Sequence, residues 1–421
     1  MGSNESPNSS LLKVPILVEN VVIEGKHYLN TSYLQKVTTP VYDCQNLQEL
    51  LNATNTTISE LNYFEGFKDI KVSLEEANQV TDSKIPITVK FLVNEKTFGI
   101  KTGVEISNNE PSMYFGGQLF NIANHINRLS VRSNRGIHNI KPLEVVYDSF
   151  VGPLKSSLGV VFNAKDNHGF FAKTFSSAYL NLCKQFGTSS ISLLMKLDDS
   201  ALNSSRNDIS YNIRKRLNHV LSPSIGITTS RSLLDNNMLP TSGSKLESLI
   251  NYTILPFAEN ILRAQVRYQT HLHYNCLTIS GYLLGGLTVP RGTIGMLDER
   301  YYCGGQESTR CFKFNGIGTY VDGYNIGSEN IFNYSLCLSH NFMTSLRNKV
   351  SAGIYYCNSF MSNSFNLSNW QSNSSVGVFL AANISERARL EVSYGIPLQV
   401  SDKRSVLSGL QLGLSLENWF S

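Results

Sequence analysis

Residues 388–400 read ARLEVSYGIPLQV, and every even position is apolar: Ala388, Leu390, Val392, Tyr394, Ile396, Leu398 and Val400. The odd positions between them are Arg389, Glu391, Ser393, Gly395, Pro397 and Gln399. After a short polar gap the alternation resumes, with Leu410, Leu412, Leu414 and Leu416 set against Gln411, Gly413, Ser415 and Glu417. A side-chain period of two makes an extended strand with one oily and one wet face. In a water-soluble sandwich the oily face packs on a second sheet. In a membrane barrel it meets lipid, and the wet face lines the interior.

The same pattern extends upstream. Leu262, Ala264, Val266, Tyr268, Leu272, Tyr274 and Cys276 share one face, opposite Arg263, Gln265, Arg267, Gln269, His271, His273 and Asn275. Shorter runs recur at Phe98 to Ile106, Ile209 to Ile213, Tyr334 to Leu338 and Val376 to Ala382. Globular strands have a modal length of about five or six residues, whereas a tilted membrane strand needs about nine to eleven. The run Leu262 to Cys276 is long by either measure. Residues 98 to 421 would hold about sixteen strands at roughly 20 residues per strand and connection, an even number as antiparallel closure requires.

Composition narrows the class. Charged residues are 16% of the 421, and Tyr and Phe number 20 and 21; globular domains carry roughly 25% charged residues. Such a mixture suits strands and aromatic girdles, in a membrane or in water. The most apolar run, Leu277 to Pro290, is broken by Thr278, Ser280, Thr288 and three glycines, so a spanning helix is not expected. A formal net charge of +4 gives no reason to expect nucleic acid as a partner. Seven cysteines occur without a Cys-x-x-Cys pair, which argues against a zinc site or a disulfide framework. No metal, cofactor or catalytic residue is expected, since no nucleophile elbow, phosphate loop or His-Glu-x-x-His is present. His271 and His273 share a strand face and are expected to be solvated in an interior rather than to bind metal.

Residues 1–14 are polar and expected to be disordered, and MGSNESPNSS has neither the basic start nor the apolar stretch of a secretory signal. Residues 15–97 read as a small α/β module. Val18 to Ile23 alternates as a strand; Leu47, Leu50, Leu51, Thr54, Ile58, Leu61 and Phe64 fall at helical spacing; Ile70 to Leu74 and Ile87 to Val93 are two more strands.

Residues 299–318 read ERYYCGGQESTRCFKFNGIG. This stretch resembles the interior loop of the barrel core subunit of the mitochondrial sorting and assembly machinery, a family related to bacterial BamA. That loop carries an Arg-Gly-Phe-like motif, a glycine pair before it and a glycine-containing turn after it. The resemblance implies site roles for Gly304, Gly305, Arg310, Phe312, Gly316 and Gly318. Cys311 stands where the family has glycine, which enters positive φ freely where cysteine rarely does. Asn108 to Met113 resembles the family's first hairpin, Leu239 to Gly243 its mid-barrel turn, and Leu390 to Leu398 with Gly409 to Gly413 its last two strands. Gln411, Gly413 and Leu416 match its terminal β-signal, while Asn418 replaces the final apolar residue. The module at 15–97 is similar to its single POTRA domain. The likeness covers 15–130 and 235–421; residues 131–234 rest on alternation alone.

The resemblance implies an all-β transmembrane antiparallel barrel over 98–421, with a POTRA-like domain at 15–97. It implies residence in the mitochondrial outer membrane, the small domain in the intermembrane space, and insertion of β-barrel precursor proteins with accessory subunits of the machinery and membrane lipids as partners. Such a barrel closes its first strand, near 98–107, on its last, near 409–418. A weak seam there, with Gly99, Gly103, Gly409, Gln411, Gly413 and Leu416, could open and offer its edge to a precursor strand. Arg310 serves that insertion, or else pairs with an interior carboxylate for stability alone. The rival functions are a porin-type diffusion or protein-translocation channel and a soluble all-β enzyme or adhesin.

Overall fold

The computed structural model describes residues 15–25, 31–63, 66–76, 85–107, 110–122, 127–136, 142–151, 154–167, 171–204, 219–236, 239–255, 259–289, 297–306, 308–343, 349–364, 366, 369–385, 388–407 and 409–416. The expectations for residues 1–14, Asn108 and Asn109, the strand at Ile209 to Ile213, and Asn418 lie outside them. Close contacts divide the chain into two compact units, 1–101 with 116–131 and 145–155, and 102–115 with 132–144 and 156–421.

The N-terminal module runs β1 (Ile16–Glu24), α1 (Thr31–Tyr42), α2 (Leu47–Tyr63), β2 (Phe67–Glu76) and β3 (Ile85–Glu95). Its sheet has the order β1-β3-β2, with β1 parallel and β2 antiparallel to β3. Leu50 and Leu61 of α2 pack with Ile16, Val18, Val89 and Phe91 of the sheet. Asn46 caps α2 by accepting from the Glu49 N–H at 2.8 Å, and the Glu49 carboxylate accepts in return from the Gln45 N–H at 2.9 Å, close to a capping box. The sequence pattern shows α2 but hides α1, because Thr38, Thr39 and Val41 are β-branched and Pro40 lies inside the helix. Helix α1 forms nonetheless because Val37 and Val41 bury in the module's core.

The second sheet has sixteen strands: β4 (Phe98–Ser107), β5 (Glu110–Phe120), β6 (Asn127–Gly136), β7 (Leu143–Val151), β8 (Leu154–Asn167), β9 (Phe171–Phe186), β10 (Ser189–Ser204), β11 (His219–Ser232), β12 (Gly243–Thr253), β13 (Ile261–Tyr274), β14 (Leu277–Val289), β17 (Asn330–Met343), β18 (Lys349–Ser362), β19 (Gln371–Ser385), β20 (Ala388–Gln399) and β21 (Gly409–Leu416). They follow one another in chain order, and β4 and β21 hold the two ends of that order. The tiny hairpin β15 (Tyr320–Val321) and β16 (Tyr324–Asn325) stands apart, inside the long connection from β14 to β17.

Burial on these strands inverts that of a soluble protein. On β20, Tyr394, Ile396 and Leu398 are each more than half exposed, whereas Glu391, Ser393 and Gly395 are buried. On β13, Leu272 is 65% exposed and its neighbour His271 only 2%. Apolar rows recur outward on β10, β11, β14, β17 and β19. A water-soluble monomer rarely shows an apolar patch beyond a few hundred Å², so this surface belongs in hydrocarbon. Among the described residues no helix is long and apolar enough to cross a membrane. The fold is an antiparallel transmembrane barrel with a small α/β domain before it.

Two expectations need correction. The strand at Leu262 to Cys276 ends at Tyr274, because Asn275 takes φ of 55° and opens a two-residue hairpin turn into β14. His271 is not solvated: it is buried, its Nδ1 lies 2.8 Å from the Ser280 hydroxyl on the paired strand, and Tyr282 meets it edge-on. A tightly packed interior covers it.

Candidate functional site

The connection from β14 to β17 turns back among the polar faces of the strands. Short backbone bridges knit it together, Tyr301 to Ser328 and Cys303 to Ile317. The hairpin β15–β16 turns through Asp322 and Gly323 at φ of 50° and 87°, the pair of positive φ values that a type I′ turn demands. Gly304 has φ of 106°, and a Cβ there would run into the Lys313 carbonyl. Both facts require glycine at that position.

This fold delivers Arg310 to a buried carboxylate. Its Nε and Nη2 donate to Glu391 Oε1 at 2.9 and 2.7 Å, and its guanidinium lies over the Tyr355 and Phe379 rings at 4.8 and 5.6 Å. Arg389 also pairs with Glu391, through Oε2. Gln306 Nε2 donates to Glu391 Oε1 at 2.9 Å, and its Oε1 accepts from Ser393 at 3.0 Å. Three donors on one carboxylate offset its desolvation, the condition for a buried charge to be tolerated.

One residue on, the loop holds the last strand. The Cys311 N–H donates to Gln411 Oε1 at 3.0 Å, while Gln411 Nε2 donates to the carbonyls of Phe312 at 3.5 Å and Leu407 at 3.4 Å. Phe312 is fully buried and bridges to Val406 in the β20–β21 turn. That turn is bonded to the motif at two more points, Lys313 N–H to the Ser405 carbonyl and Leu407 N–H to the Cys311 carbonyl. In the turn Asp402 accepts from Arg404, whose guanidinium holds the carboxyl below the usual range. Gly413 completes the contact: it sits beneath Gln306, and a Cβ added there would lie 2.5 Å from Gln306 Cγ. Glu391 and Gly413 face each other across the β20–β21 ladder, as do Ser393 and Gln411.

Cys311 adopts φ of 70°, so the left-handed backbone expected of glycine persists with a side chain present. Room for it comes from Gly395, where a Cβ would fall 2.7 Å from Cys311 Sγ.

The structure therefore gathers Gly304, Gly305, Arg310, Phe312, Gln411 and Gly413 around one cluster. Gly316 is packed on Lys313 and Ser405, and Gly318 lies against Asn325. Gly409, at φ of 109°, and Leu416 begin and end β21. Gly99 and Gly103 lie on β4, at the opposite end of the strand order. Sequence reasoning missed Glu391, Arg389, Gln306, Ser393 and Tyr355. Glu391 and Arg389 carried a signal, as charges on the wet face of a regular strand; Gln306 carried none. A cavity of about 890 Å³ opens beside the loop, with Lys245, Glu247, Arg267, Arg310, Arg389 and Glu391 in its lining.

Known proteins resemble this chain over nearly its whole length. A SAM50-like protein of Drosophila melanogaster is 23% identical over 99% of this chain and 98% of its own. The sorting and assembly machinery component 50 homolog A of Xenopus laevis is 22% identical, over 95% of this chain and 90% of its own. The crystal structure of BamA from Haemophilus ducreyi lacking POTRA domains 1–3 superposes with a TM-score of 0.72 at 16% identity, over 95% of this chain and 84% of that one, a likeness of fold. Residues 153–418, which contain the whole loop, its carboxylate and the terminal strand, match the Omp85 superfamily domain. With a barrel, an inward-turned Arg-x-Phe loop and that match over well over half its length, the chain belongs to the Omp85 superfamily.

Proposed function

We propose that this protein folds β-barrel precursor proteins and inserts them into the mitochondrial outer membrane, at a seam between β4 and β21. The observation that carries the reading is the grip of the interior loop on the last strand and its neighbour, through Glu391, Ser393, Gln411 and Gly413. A loop so placed sets how firmly the end of the sheet is held. Gly409 and Gly413 weaken β21 itself, since glycine adds backbone entropy and no packing to a strand. When the seam opens, a precursor strand pairs with the free edge, and its backbone groups never meet lipid unsatisfied. Such a step makes and breaks no covalent bond.

The names of the relatives, components of a sorting and assembly machinery, support the mitochondrial location and the accessory subunits as partners. In this reading residues 15–97 form the POTRA-like domain, which faces the intermembrane space, and residues 98–421 form the barrel. The test places cysteines on both sides of the seam, Gly103→Cys and Leu414→Cys, and imports a radiolabelled precursor bearing single cysteines. Disulfide adducts to both strands are expected. Absence of adducts at every paired position refutes insertion at this seam.

A further inference from the structure

The loop that carries Arg310 is held at a second place, far along the strand order from β20 and β21. Asp298 Oδ2 accepts from Lys173 Nζ of β9 at 2.6 Å, with both side chains largely buried. Lys173 also approaches Asp198 of β10 at 3.9 Å, and Lys196 pairs with that carboxylate at 2.7 Å. Next to Asp298, the Glu299 carboxylate accepts from the Thr253 hydroxyl at 3.3 Å and lies 4.0 Å from Arg263 of β13. Tyr301 enters the wall itself: its hydroxyl donates to the Ala264 carbonyl of β13 at 2.7 Å, and its ring fills the space where Gly286 of β14 lacks a side chain. Leu297, fully buried, packs with Phe171 and Leu202 of the same wall.

Only three residues separate Tyr302 from Gln306, and the two stretches are tied together where the Gly304 N–H donates to the Ser308 hydroxyl at 2.9 Å and Cys303 Sγ lies 3.2 Å from the Thr309 hydroxyl. A displacement at Asp298 or Tyr301 is therefore passed to Gln306 and Arg310. We propose that the loop is a strut fixed at both ends, and that Lys173, Asp298 and Tyr301 are positioning residues that set where Gln306 and Arg310 meet β20 and β21. Lys173 and Asp298 have no bond to the terminal strand among the described residues; they act on it through the loop. The consequence for insertion rests on the function proposed above, whereas the positioning itself does not.

A disulfide between loop and strand reads the positioning directly. A Cβ at position 413 would lie 3.3 Å from Gln306 Cβ, near the roughly 3.5–4.5 Å that disulfides span. In the full chain carrying Gln306→Cys and Gly413→Cys, the rate of oxidation to that disulfide, mapped by mass spectrometry, reports the register of loop against strand. Lys173→Asp, Asp298→Lys and Tyr301→Phe are each added, as is the swap of the first two. Folding of every variant is checked by the heat-dependent gel mobility of the barrel. At least a fivefold slower crosslink is expected for Lys173→Asp and for Asp298→Lys, a smaller loss for Tyr301→Phe, and recovery in the swap. Wild-type crosslinking rates in folded single variants overturn the strut. If the charge variants do not fold, Tyr301→Phe decides alone, since it removes one hydroxyl; an unchanged rate there overturns the proposal. A slowed crosslink with undiminished precursor insertion supports the strut and removes the loop's position from the insertion step instead.

Discussion

Replacing Arg310 by alanine tests the central contact. The variant loses two hydrogen bonds to a carboxylate, at 2.9 and 2.7 Å, each worth about 1.5–3 kcal/mol when one partner is charged. It also loses the stacking on Tyr355 and Phe379, about 0.5–2 kcal/mol. These losses are partly offset, because a buried guanidinium no longer has to be desolvated. Glu391 is not abandoned, since Arg389 and Gln306 still hold it. The net loss should be about 3 kcal/mol, toward the low end of the roughly 3–5 kcal/mol seen when a buried pair loses one member. Glu391→Ala is expected to cost more, because it removes the acceptor that Arg310, Arg389 and Gln306 share. Arg310→Lys should recover less than half, as a single ammonium cannot reproduce two bonds and a planar stack. The assay is equilibrium urea unfolding of the detergent-folded barrel, comparing midpoints at equal slope. An Arg310→Ala protein within about 1 kcal/mol of wild type, or a Glu391→Ala protein more stable than it, refutes the reasoning.

Three further outcomes follow from the same geometry. Gly413→Ala forces Gln306 off Glu391 and Ser393, which should cost about 1–2 kcal/mol at roughly 1 kcal/mol per bond and speed amide hydrogen exchange in β21. Cys311→Gly relieves a left-handed backbone worth about 1–2 kcal/mol but empties a buried Sγ contact with Tyr355, so its unfolding midpoint should stay near wild type, whereas Cys311→Val, β-branched at positive φ, should fall well below it. In import assays Arg310→Ala should slow precursor assembly more than deletion of residues 15–97 does; normal kinetics in the Arg310 variant would remove the loop from the insertion step.

The wall was legible because membrane strands repeat with a strict period. Every even residue from 388 to 400 is apolar, and Tyr394, Ile396 and Leu398 point outward as that parity requires. Helix α1 was not legible, since Thr38, Thr39 and Pro40 argue against a helix that only the burial of Val37 and Val41 sustains. The loop showed its glycines, its arginine and its phenylalanine, but not its target. Arg310 and Glu391 are 81 residues apart, and periodicity carries no information at that range. Gln306 is still harder: a glutamine between a glycine pair and a glutamate has no local reason to lie over Gly413.

The interior contacts fall where lipid leaves work for them. On the outer face of β21, Leu410 is 72% exposed and meets hydrocarbon, which welcomes any apolar strand equally and so cannot select a position for this one. Its ladder to β20 spans eight paired residues, against sixteen between β9 and β10. What distinguishes the end of the sheet is on the polar side, where Gln411 and Gly413 meet the loop. In the proposed mechanism, β21 therefore moves at the seam only as far as the contacts of Gln306 with Glu391 and of Cys311 with Gln411 let it, whatever happens in the lipid. In that mechanism the seam changes by movement of a loop of some thirty described residues, while the outward apolar residues of the strands stay in place.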